Sequence, residues 1–267
     1  MDTLDHQKNA NRFTGFADLY ERARPSVPRR AIEIICNYLE NEPNTVVDLG
    51  CGTGLSTLVW KDIAKTVIGI EPNPDMISIA EKKAGETVRF LSGYGNKTGL
   101  ASDFADVVLC SQSFHWMEPF STLTEVNRIL KSGGIFATID CDWPPVTNWR
   151  AEKAYMALYE KSRRLESELP GTKDSFQRYP KNRHLDNMRS SGCFRYCREI
   201  VFFHSEEGDA ERFLSIILSQ GSLQALLKKY PELISDDLER FQDQIRSIFG
   251  NHTFPLGFCY RMRIGIK

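Results

Sequence analysis

The stretch VVDLGCGTGLST, Val46 to Thr57, places a run of apolar residues directly before a cluster of glycines. Thr45 to Leu49 is apolar or β-branched apart from Asp48, which predicts a short buried strand. The glycines that follow are Gly50, Gly52 and Gly54. Because glycine has no Cβ, this backbone can adopt positive φ and a ligand can lie directly against it. A glycine-rich turn from strand to helix is where doubly wound α/β proteins bind nucleotides.

The pattern after this turn predicts a helix and then a series of alternating strands and helices. Thr53 or Ser56 is expected to cap the first helix. The predicted strands are Thr45 to Leu49, Thr66 to Ile70, Thr87 to Leu91, Ala105 to Cys110, Gly134 to Ile139, Arg195 to His204 and Phe254 to Ile266. The other predicted helices are Arg29 to Glu40, Pro74 to Lys83, Glu118 to Leu130, Ala151 to Leu165, Ala210 to Ser219 and Pro231 to Phe249. The sequence KSGG, from Lys131, is expected to end the helix Glu118 to Leu130. Such alternation predicts βαβ units and a parallel sheet.

Composition limits the classes of protein to which the chain can belong. The chain has 267 residues, of which 41% are hydrophobic and 26% charged. This is enough material for the core of one large globular domain, residues 1–267. A formal net charge of -1 argues against a nucleic-acid partner. No stretch resembles a signal peptide or a membrane span, so a cytoplasmic protein without a membrane partner is expected.

Cysteine and histidine patterns give little support for a metal centre. The seven cysteines are scattered and form no CxxC pair, so we expect reduced thiols. The five histidines show no HxxxH spacing, and no metal site is predicted. Asp140 and Asp142 after the fifth strand suggest magnesium, but Ser111 and Gln112 end the fourth strand where a further carboxylate would be needed. A solvated loop is therefore expected around the two aspartates.

The residues around the turn distinguish among nucleotides. A dinucleotide fingerprint needs a third glycine where this chain has Leu55, which disfavours NAD. No Lys followed by Ser or Thr comes after the glycines, so a P-loop is excluded. Glu71 follows the second strand, where its carboxylate can accept hydrogen bonds from both hydroxyls of a ribose. An adenosine ligand would use this residue.

Three motifs, DLGCGTG, GIEPNPDM and EVNRILKSGGIFATID, resemble the class I S-adenosylmethionine-dependent methyltransferases over roughly Arg12 to Asp140. SQSFHWM, Ser111 to Met117, and FADLYERARPSVP, Phe16 to Pro28, are similar to a small-molecule subgroup that includes the trans-aconitate type. The resemblance implies an α/β, doubly wound Rossmann-like fold whose seven-stranded sheet is mostly parallel with an antiparallel last strand. It also implies an N-terminal cap, residues 1–28. The turn-rich pattern that follows Ile139 predicts an inserted lid or substrate region, residues 141–195.

The same resemblance implies S-adenosylmethionine as cofactor and assigns parts of the site. The glycines of the turn would line the methionine part of the cofactor, and Glu71 would bind the ribose. Asn73 and Met76 would contact the edge of the adenine. Tyr20 and Arg24 would close over the methionine carboxylate. The expected cofactor-binding residues are Tyr20, Arg24, Asp48, Gly50, Gly52, Gly54, Glu71, Asn73, Met76, Gly95, Asn96, Ser111 and Gln112.

Methyl transfer from a sulfonium needs alignment of the acceptor and exclusion of water, without an obligatory metal. An ionised carboxylate acceptor needs no base, whereas a hydroxyl or an acidic carbon does. His115 is the candidate general base; the alternative is that it only shapes the pocket wall. Four aromatic residues are candidates for the apolar floor of a substrate pocket: Phe114, Trp116, Trp143 and Trp149. The alternative is that they pack in the core.

Three functions remain open from the sequence. The first is methylation of a small organic acceptor, with the region after Asp140 forming its pocket. The second is methylation of RNA or protein, against which the near-zero net charge counts. The third is a non-catalytic adenosine-nucleotide-binding or NAD-linked protein of the same fold. Neither the acceptor nor the oligomeric state follows from the sequence.

Overall fold

The computed structural model describes residues 8–10, 12, 14–173 and 176–267. Its strands are β1 Thr45–Leu49, β2 Thr66–Glu71, β3 Val88–Ser92, β4 Ala105–Ser111, β5 Leu130–Cys141, β6 Tyr196–Gly208 and β7 Phe254–Ile266. Its α-helices are α1 Ala17–Ala23, α2 Arg29–Leu39, α3 Leu55–Leu58, α4 Pro74–Glu81, α5 Pro119–Ile129, α6 Trp149–Glu168, α7 His184–Ser190, α8 Ala210–Leu218, α9 Gly221–Lys229 and α10 Ser235–Phe249. All seven predicted strands are present.

The seven strands form one sheet in the order β3-β2-β1-β4-β5-β7-β6. Pairing is parallel from β3 through β5, and β7 is antiparallel to both β5 and β6. This confirms the predicted doubly wound sheet with an antiparallel last strand. The strand order reverses between β1 and β4, so the carboxyl ends of these two strands flank a crevice where α/β proteins bind ligands.

Helices cover both faces of the sheet. On one face the core includes the buried side chains of Ile35 in α2, Tyr155 in α6 and Phe213 in α8. On the other face Leu123 and Val126 of α5 pack onto the sheet. Within the predicted lid region, residues 141–195, α6 buries Tyr155 in the core on the first face of the sheet and α7 buries Met188 in the core on the second. Closure by this region remains a prediction.

Two local predictions in these elements were wrong, and some helices were not predicted. Helix α5 ends at Ile129 without a glycine, because β5 begins at once with Leu130, and Lys131 lies in that strand with its Nζ 2.7 Å from Oδ1 of Asp106. The predicted helix from Pro231 is interrupted: a 3₁₀ turn covers Pro231–Leu233 and α10 starts only at Ser235. Helices α1, α7 and α9 were not predicted. No helix among the described residues is long and apolar enough to cross a bilayer.

Candidate functional site

The turn after β1 contains three glycines with left-handed backbone, Gly50, Gly52 and Gly54. Gly52 has φ +57°, and a Cβ built on it would meet no atom within 4 Å, so its α-carbon faces open space. Gly54 has φ +90° and is the N-cap of α3; a Cβ there would lie 2.9 Å from the Phe90 ring. Gly52 therefore leaves room for a ligand, whereas Gly54 allows the turn to pack against β3.

Glu71 ends β2 and faces the glycine turn. Its Oε2 accepts a 2.9 Å hydrogen bond from the backbone N–H of Gly52, and its Oε1 accepts one of 2.8 Å from the N–H of Asn73. Burial raises the pKa of this carboxyl to about 7, and the two backbone donors oppose that rise. Each oxygen keeps a further lone pair, so a ligand hydroxyl can still donate to either one.

Asp48 supports the turn from below and does not line the cavity. Its Oδ2 accepts hydrogen bonds from Oγ of Ser56 at 2.6 Å and from Oγ1 of Thr57 at 2.7 Å. Complete burial raises its pKa to about 6. The predicted cap by Thr53 or Ser56 is wrong, because no side chain caps α3 and the Ser56 hydroxyl is used by Asp48. Asp48 thus ties β1 to α3.

Asn73 is fully buried and serves two backbone segments rather than a ligand. Its Oδ1 caps α4 by accepting from the N–H of Met76 at 2.9 Å. Its Nδ2 donates to the carbonyl of Ala10 at 2.7 Å, which holds the N-terminal segment against α4. Met76 lines the cavity, whereas Asn73 lies outside it; an adenine contact of either residue remains a prediction.

One cavity runs along the carboxyl ends of β1, β2 and β4. It contacts ten of the thirteen expected cofactor residues: Tyr20, Arg24, Gly50, Gly52, Glu71, Met76, Gly95, Asn96, Ser111 and Gln112. The three that lie outside it are Asp48, Gly54 and Asn73. Residues that the sequence did not indicate also contribute, among them Asn9, Thr53, Met117, Thr122 and Tyr260. Tyr260 lies on β7, and no signal in its local sequence marks it as a site residue.

The N-terminal segment forms one wall of this cavity. The Arg24 guanidinium lies 5.1 Å from the centre of the Tyr20 ring and 5.0 Å from that of Trp143. Its Nη2 donates to the carbonyl of Ser219 and to Oε1 of Gln220, at 3.1 and 3.2 Å. Arg24 therefore joins the N-terminal segment to α8 and α9. Part of the predicted cap, residues 1–7, 11 and 13, lies outside the described residues.

Two of the four predicted pocket aromatics lie elsewhere. Trp116 and Trp143 line the cavity. Phe114 is 1% exposed and packs edge-on against Phe136 in the core, with ring centres 5.6 Å apart. Trp149 is 67% exposed at the start of α6. Phe114 and Trp116 lie in one 3₁₀ turn, Phe114–Trp116, whose side chains point in different directions. Trp116 therefore reaches the cavity while Phe114 points into the core.

His115 is buried beside the cavity and does not line it. Its Nδ1 is 3.9 Å from Oδ1 of Asp140, too far for a hydrogen bond, and has no hydrogen-bond partner among the described residues. Burial, followed by the charge of Lys181, holds the pKa of His115 well below its ordinary value. The imidazole is therefore neutral near pH 7.

Asp140 is buried in a network of cations, so the predicted solvated loop is wrong at this residue. Its Oδ1 lies 2.8 Å from Nζ of Lys181, and its Oδ2 lies 2.7 Å from Nη1 of Arg263. His184 is also close, with Nε2 3.8 Å from Oδ2, and burial lowers its pKa to about 4. The carboxylate thus compensates two positive charges in the protein interior.

The described residues include one cluster with metal-ligand chemistry, formed by His115, Asp140 and His184. One potential ligand atom from each lies within 4.8 Å of the others. Both oxygens of Asp140 already contact the ammonium of Lys181 and the guanidinium of Arg263. A divalent cation would meet two fixed positive charges there, so the surroundings oppose a metal.

Residues 176–181 connect this network to the cavity. The backbone N–H of Tyr179 donates to the carbonyl of His115 at 2.8 Å. The Nζ of Lys181 donates to Oε1 of Gln112 at 2.9 Å. Gln112 lines the cavity and has φ +54°, a backbone conformation that is costly for a residue with a Cβ. Lys181 therefore holds a cavity side chain whose backbone is strained.

Similarity to known proteins is concentrated on the part of the chain that builds this turn. Residues 47–138 match the family model for a methyltransferase domain. The chain is 34% identical over 124 residues to the "Probable S-adenosylmethionine-dependent methyltransferase CRG1" of Saccharomyces cerevisiae, covering 44% of this chain and 43% of that protein. It is 35% identical over 115 residues to the uncharacterized methyltransferase Rv3342 of Mycobacterium tuberculosis, covering 43% and 46%. The alignments thus span less than half the length of these relatives.

Solved structures share the fold over nearly the whole chain. A type II methyltransferase candidate from Anaeromyxobacter dehalogenans has a TM-score of 0.67 at 18% identity, covering 91% of this chain and 97% of its own. The YcgJ protein of Bacillus subtilis has a TM-score of 0.55 at 17% identity, covering 90% and 99%. At these identities the likeness concerns the fold alone. Residues 47–138 thus match a methyltransferase domain, and they lie within a fold that these solved structures share.

Proposed function

We propose that this chain transfers a methyl group from S-adenosylmethionine to a small organic acceptor by in-line displacement. The observation that carries the proposal is the continuity of one cavity. It extends from the open backbone of Gly52 and the carboxylate of Glu71 to Trp116, Trp143 and Tyr260. A donor and an acceptor bound at its two ends would share one continuous cavity, as direct transfer requires.

The residues at the donor end fit the cofactor of the family. Gly52 leaves a cradle that a Cβ would fill, and Glu71 offers two acceptor oxygens. Thr53 and Thr122 line the cavity with buried hydroxyls that have no hydrogen-bond partner among the described residues. A buried hydroxyl without a partner is costly, so a polar ligand that supplies one would stabilise the site.

When bound, S-adenosylmethionine supplies a methyl group already activated on a sulfonium. The chain itself must then orient the acceptor and exclude water. Water is excluded by Tyr20, Arg24 and Trp143, whose stacked side chains cover the cavity where the N-terminal segment forms its wall. Arg24 is held there by two hydrogen bonds, so this cover is ordered.

Hydrogen bonds across the acceptor end of the cavity favour a small acceptor over RNA or protein. Asn9 bridges the cavity wall: its Nδ2 donates to the carbonyl of Trp116 at 2.7 Å and to that of Gln177 at 2.8 Å. The N–H of Gln177 donates back to Oδ1 of Asn9 at 2.8 Å. These contacts join the N-terminal segment to residues 176–181, and a polymer would have to break them to enter.

His115 acts in this proposal as a positioning residue for the cavity wall. Its neutral imidazole packs beside Trp116, with ring centres 4.7 Å apart, and does not reach the cavity. A carboxylate acceptor is ionised near pH 7 and needs no base. The general-base role remains the alternative for a hydroxyl or carbon acceptor, in which His115 would need to move toward the cavity.

Calorimetry on the purified chain tests the donor half of the proposal. S-adenosylhomocysteine should bind and NAD should not. Replacing Glu71 by Gln should weaken that binding, while Glu33→Gln, an exposed carboxylate on α2, should leave it unchanged. Binding of NAD but not S-adenosylhomocysteine would contradict the proposal.

The acceptor half needs labelled methyl transfer. Carboxylic acids, phenols, total RNA and a protein mixture are incubated with methyl-labelled S-adenosylmethionine and the chain. Label in a small molecule supports the proposal. Label found only in RNA or protein would contradict it and would identify a macromolecular acceptor. The Glu71→Gln variant controls for label that arises without the site.

A further inference from the structure

The outer edge of β6 is an open sheet edge among the described residues. β6 is the last strand of the sheet, 13 residues long, and pairs only with β7. Its other side presents backbone N–H and C=O groups that no described strand uses. Proteins that remain monomeric usually protect such an edge with Lys, Pro or a short strand. β6 is long, and Tyr196 to Gly208 contains neither Lys nor Pro.

This edge also carries exposed apolar side chains. Val201 is 59% exposed and Phe203 57% exposed, and both lie on the same face of β6 because strand residues two apart share a face. Val146 is 47% exposed and adjacent: a Cβ built on Gly257 would lie 2.4 Å from the Phe203 ring and 3.2 Å from Cβ of Val146. Together Val146, Val201 and Phe203 form the β6 apolar patch.

Charge is unequally distributed along the same strand. The first half of β6 carries Arg198 and Glu199, and Glu199 is paired with Arg261 and Arg263 of β7; the last residues carry Glu206 and Glu207, followed by Asp209. An antiparallel neighbour with the same sequence would therefore place its acidic end beside the basic end of β6. A parallel copy would instead bring like charges together.

One register makes the two copies complementary on both faces of the sheet. With a two-fold axis at Phe202, Val201 lies opposite Phe203 of the second copy, and Arg198 lies opposite its Glu206. Both contacts occur twice, as a two-fold interface requires. Glu206 already pairs with Arg212 at 2.8 Å and Arg198 contacts the Tyr38 hydroxyl at 3.1 Å, so both side chains are held near the edge.

We propose that β6 is a homodimer interface, where a second copy of this chain adds antiparallel across a two-fold axis at Phe202 and joins the two seven-stranded sheets. The backbone of each β6 supplies the hydrogen bonds, the β6 apolar patch supplies the buried surface, and the Arg198–Glu206 pairs select the antiparallel direction. We infer a second copy of this chain as the partner, and not an unrelated protein, because β6 is complementary to itself at both its apolar and its charged positions.

Analytical ultracentrifugation of the full chain tests the interface. The wild type should sediment as twice its 30.5 kDa mass. Val201→Lys and Phe203→Lys should each raise the dimer dissociation constant by about tenfold or more, since apolar area is lost from the interface and each lysine faces an apolar side chain of the second copy. The control Phe120→Lys changes a 72% exposed residue on α5 and should leave the dimer intact. A wild type that stays monomeric at about 100 μM overturns the proposal.

A charge exchange tests the register independently of the apolar patch. Arg198→Glu alone would place glutamates opposite each other at both ends, and Glu206→Arg alone would place arginines opposite each other, so each variant should dimerise less. An equimolar mixture of the two should form a heterodimer with both pairs restored. Homodimers of undiminished strength in both variants, or a mixture no stronger than its components, would overturn the antiparallel register. Circular dichroism confirms that each variant is folded.

Discussion

The backbone N–H of Gly52 donates a 2.9 Å hydrogen bond to Oε2 of Glu71, which joins the turn after β1 to the carboxyl end of β2. Residues 19 positions apart in the chain thus form one surface of the cavity. The bond orients the Glu71 carboxylate along the bare backbone of the turn. A ligand that rests on Gly52 is therefore placed within reach of an acceptor for its hydroxyls.

Replacing Glu71 by Ala should weaken S-adenosylhomocysteine binding. A hydrogen bond to a charged group contributes about 1.5–3 kcal/mol, so the dissociation constant should rise by roughly 10- to 100-fold. Calorimetry measures the change. The matched control, Asp142→Asn, removes a half-exposed carboxylate after β5 and should have no effect. Equal affinities for Glu71→Ala and the wild type would show that Glu71 does not contact the ligand.

Cofactor affinity should depend on pH through Glu71. Its pKa is raised to about 7 by burial, and ligand hydroxyls favour the ionised carboxylate. Affinity should therefore be highest above pH 7 and should fall as the pH decreases through 7, by at most about tenfold per pH unit. Calorimetry across this range measures the slope. The Glu71→Gln variant cannot titrate and should show a flatter profile; a slope unchanged in that variant would assign the titration to another group.

Two glycines of the same turn should fail in different ways. Gly52→Val places a side chain in open space, so the fold should lose only the cost of a left-handed residue, about 1 kcal/mol, while S-adenosylhomocysteine binding disappears. Gly54→Val places a Cβ against the Phe90 ring and should lower the free energy of unfolding by about 1–3 kcal/mol more. Thermal unfolding and calorimetry separate the two losses. Retained binding in Gly52→Val would place the ligand elsewhere.

His184 should make the protein less stable in acid. Its folded pKa is lowered to about 4, chiefly by burial, against an ordinary value of 6.5. The unfolded chain therefore binds the extra proton first, so the contribution of neutral His184 is complete above pH 6.5 and is lost as the pH falls toward 4. The loss amounts to at most roughly 3 kcal/mol. Urea unfolding at several pH values measures it.

The His184→Phe variant is the control for that titration. Phe keeps an aromatic ring against Phe114, whose ring centre lies 4.9 Å from that of His184. Because Phe does not titrate, the difference in stability between the variant and the wild type should grow as the pH falls from 6.5 toward 4. A difference that is constant with pH would show that His184 is not the destabilising group.

Asp140→Asn should destabilise the fold strongly. The substitution leaves the 3% exposed Arg263 and the partly buried Lys181 without this anionic partner, and breaking a buried pair in this way costs about 3–5 kcal/mol. Asp142→Asn, two residues further on, removes an exposed partner of Arg261 and should cost less than about 1 kcal/mol. Chemical unfolding compares the two. Similar small losses would mean that Asp140 is solvated, as the sequence suggested.

Much of the fold and the donor side of the site could be predicted because their signals are local. The alternation of short apolar runs with amphipathic helices predicted all seven strands. The glycines after β1 and the carboxylate after β2 lie at the ends of consecutive parallel strands, and such ends meet at one edge of a sheet. Local pattern did not separate the roles of Gly52 and Gly54, since both have positive φ and only the neighbouring Phe90 distinguishes them.

The sequence by itself determined a doubly wound sheet and a nucleotide turn, because hydrophobic period and missing Cβ atoms act over a few residues. Only the tertiary structure decided the acceptor side. Asp140 is buried because Lys181 and Arg263, the latter 123 positions away, converge on it. Likewise Tyr260 reaches the cavity only because β7 inserts between β5 and β6. Such contacts depend on how distant strands assemble, which no local period encodes.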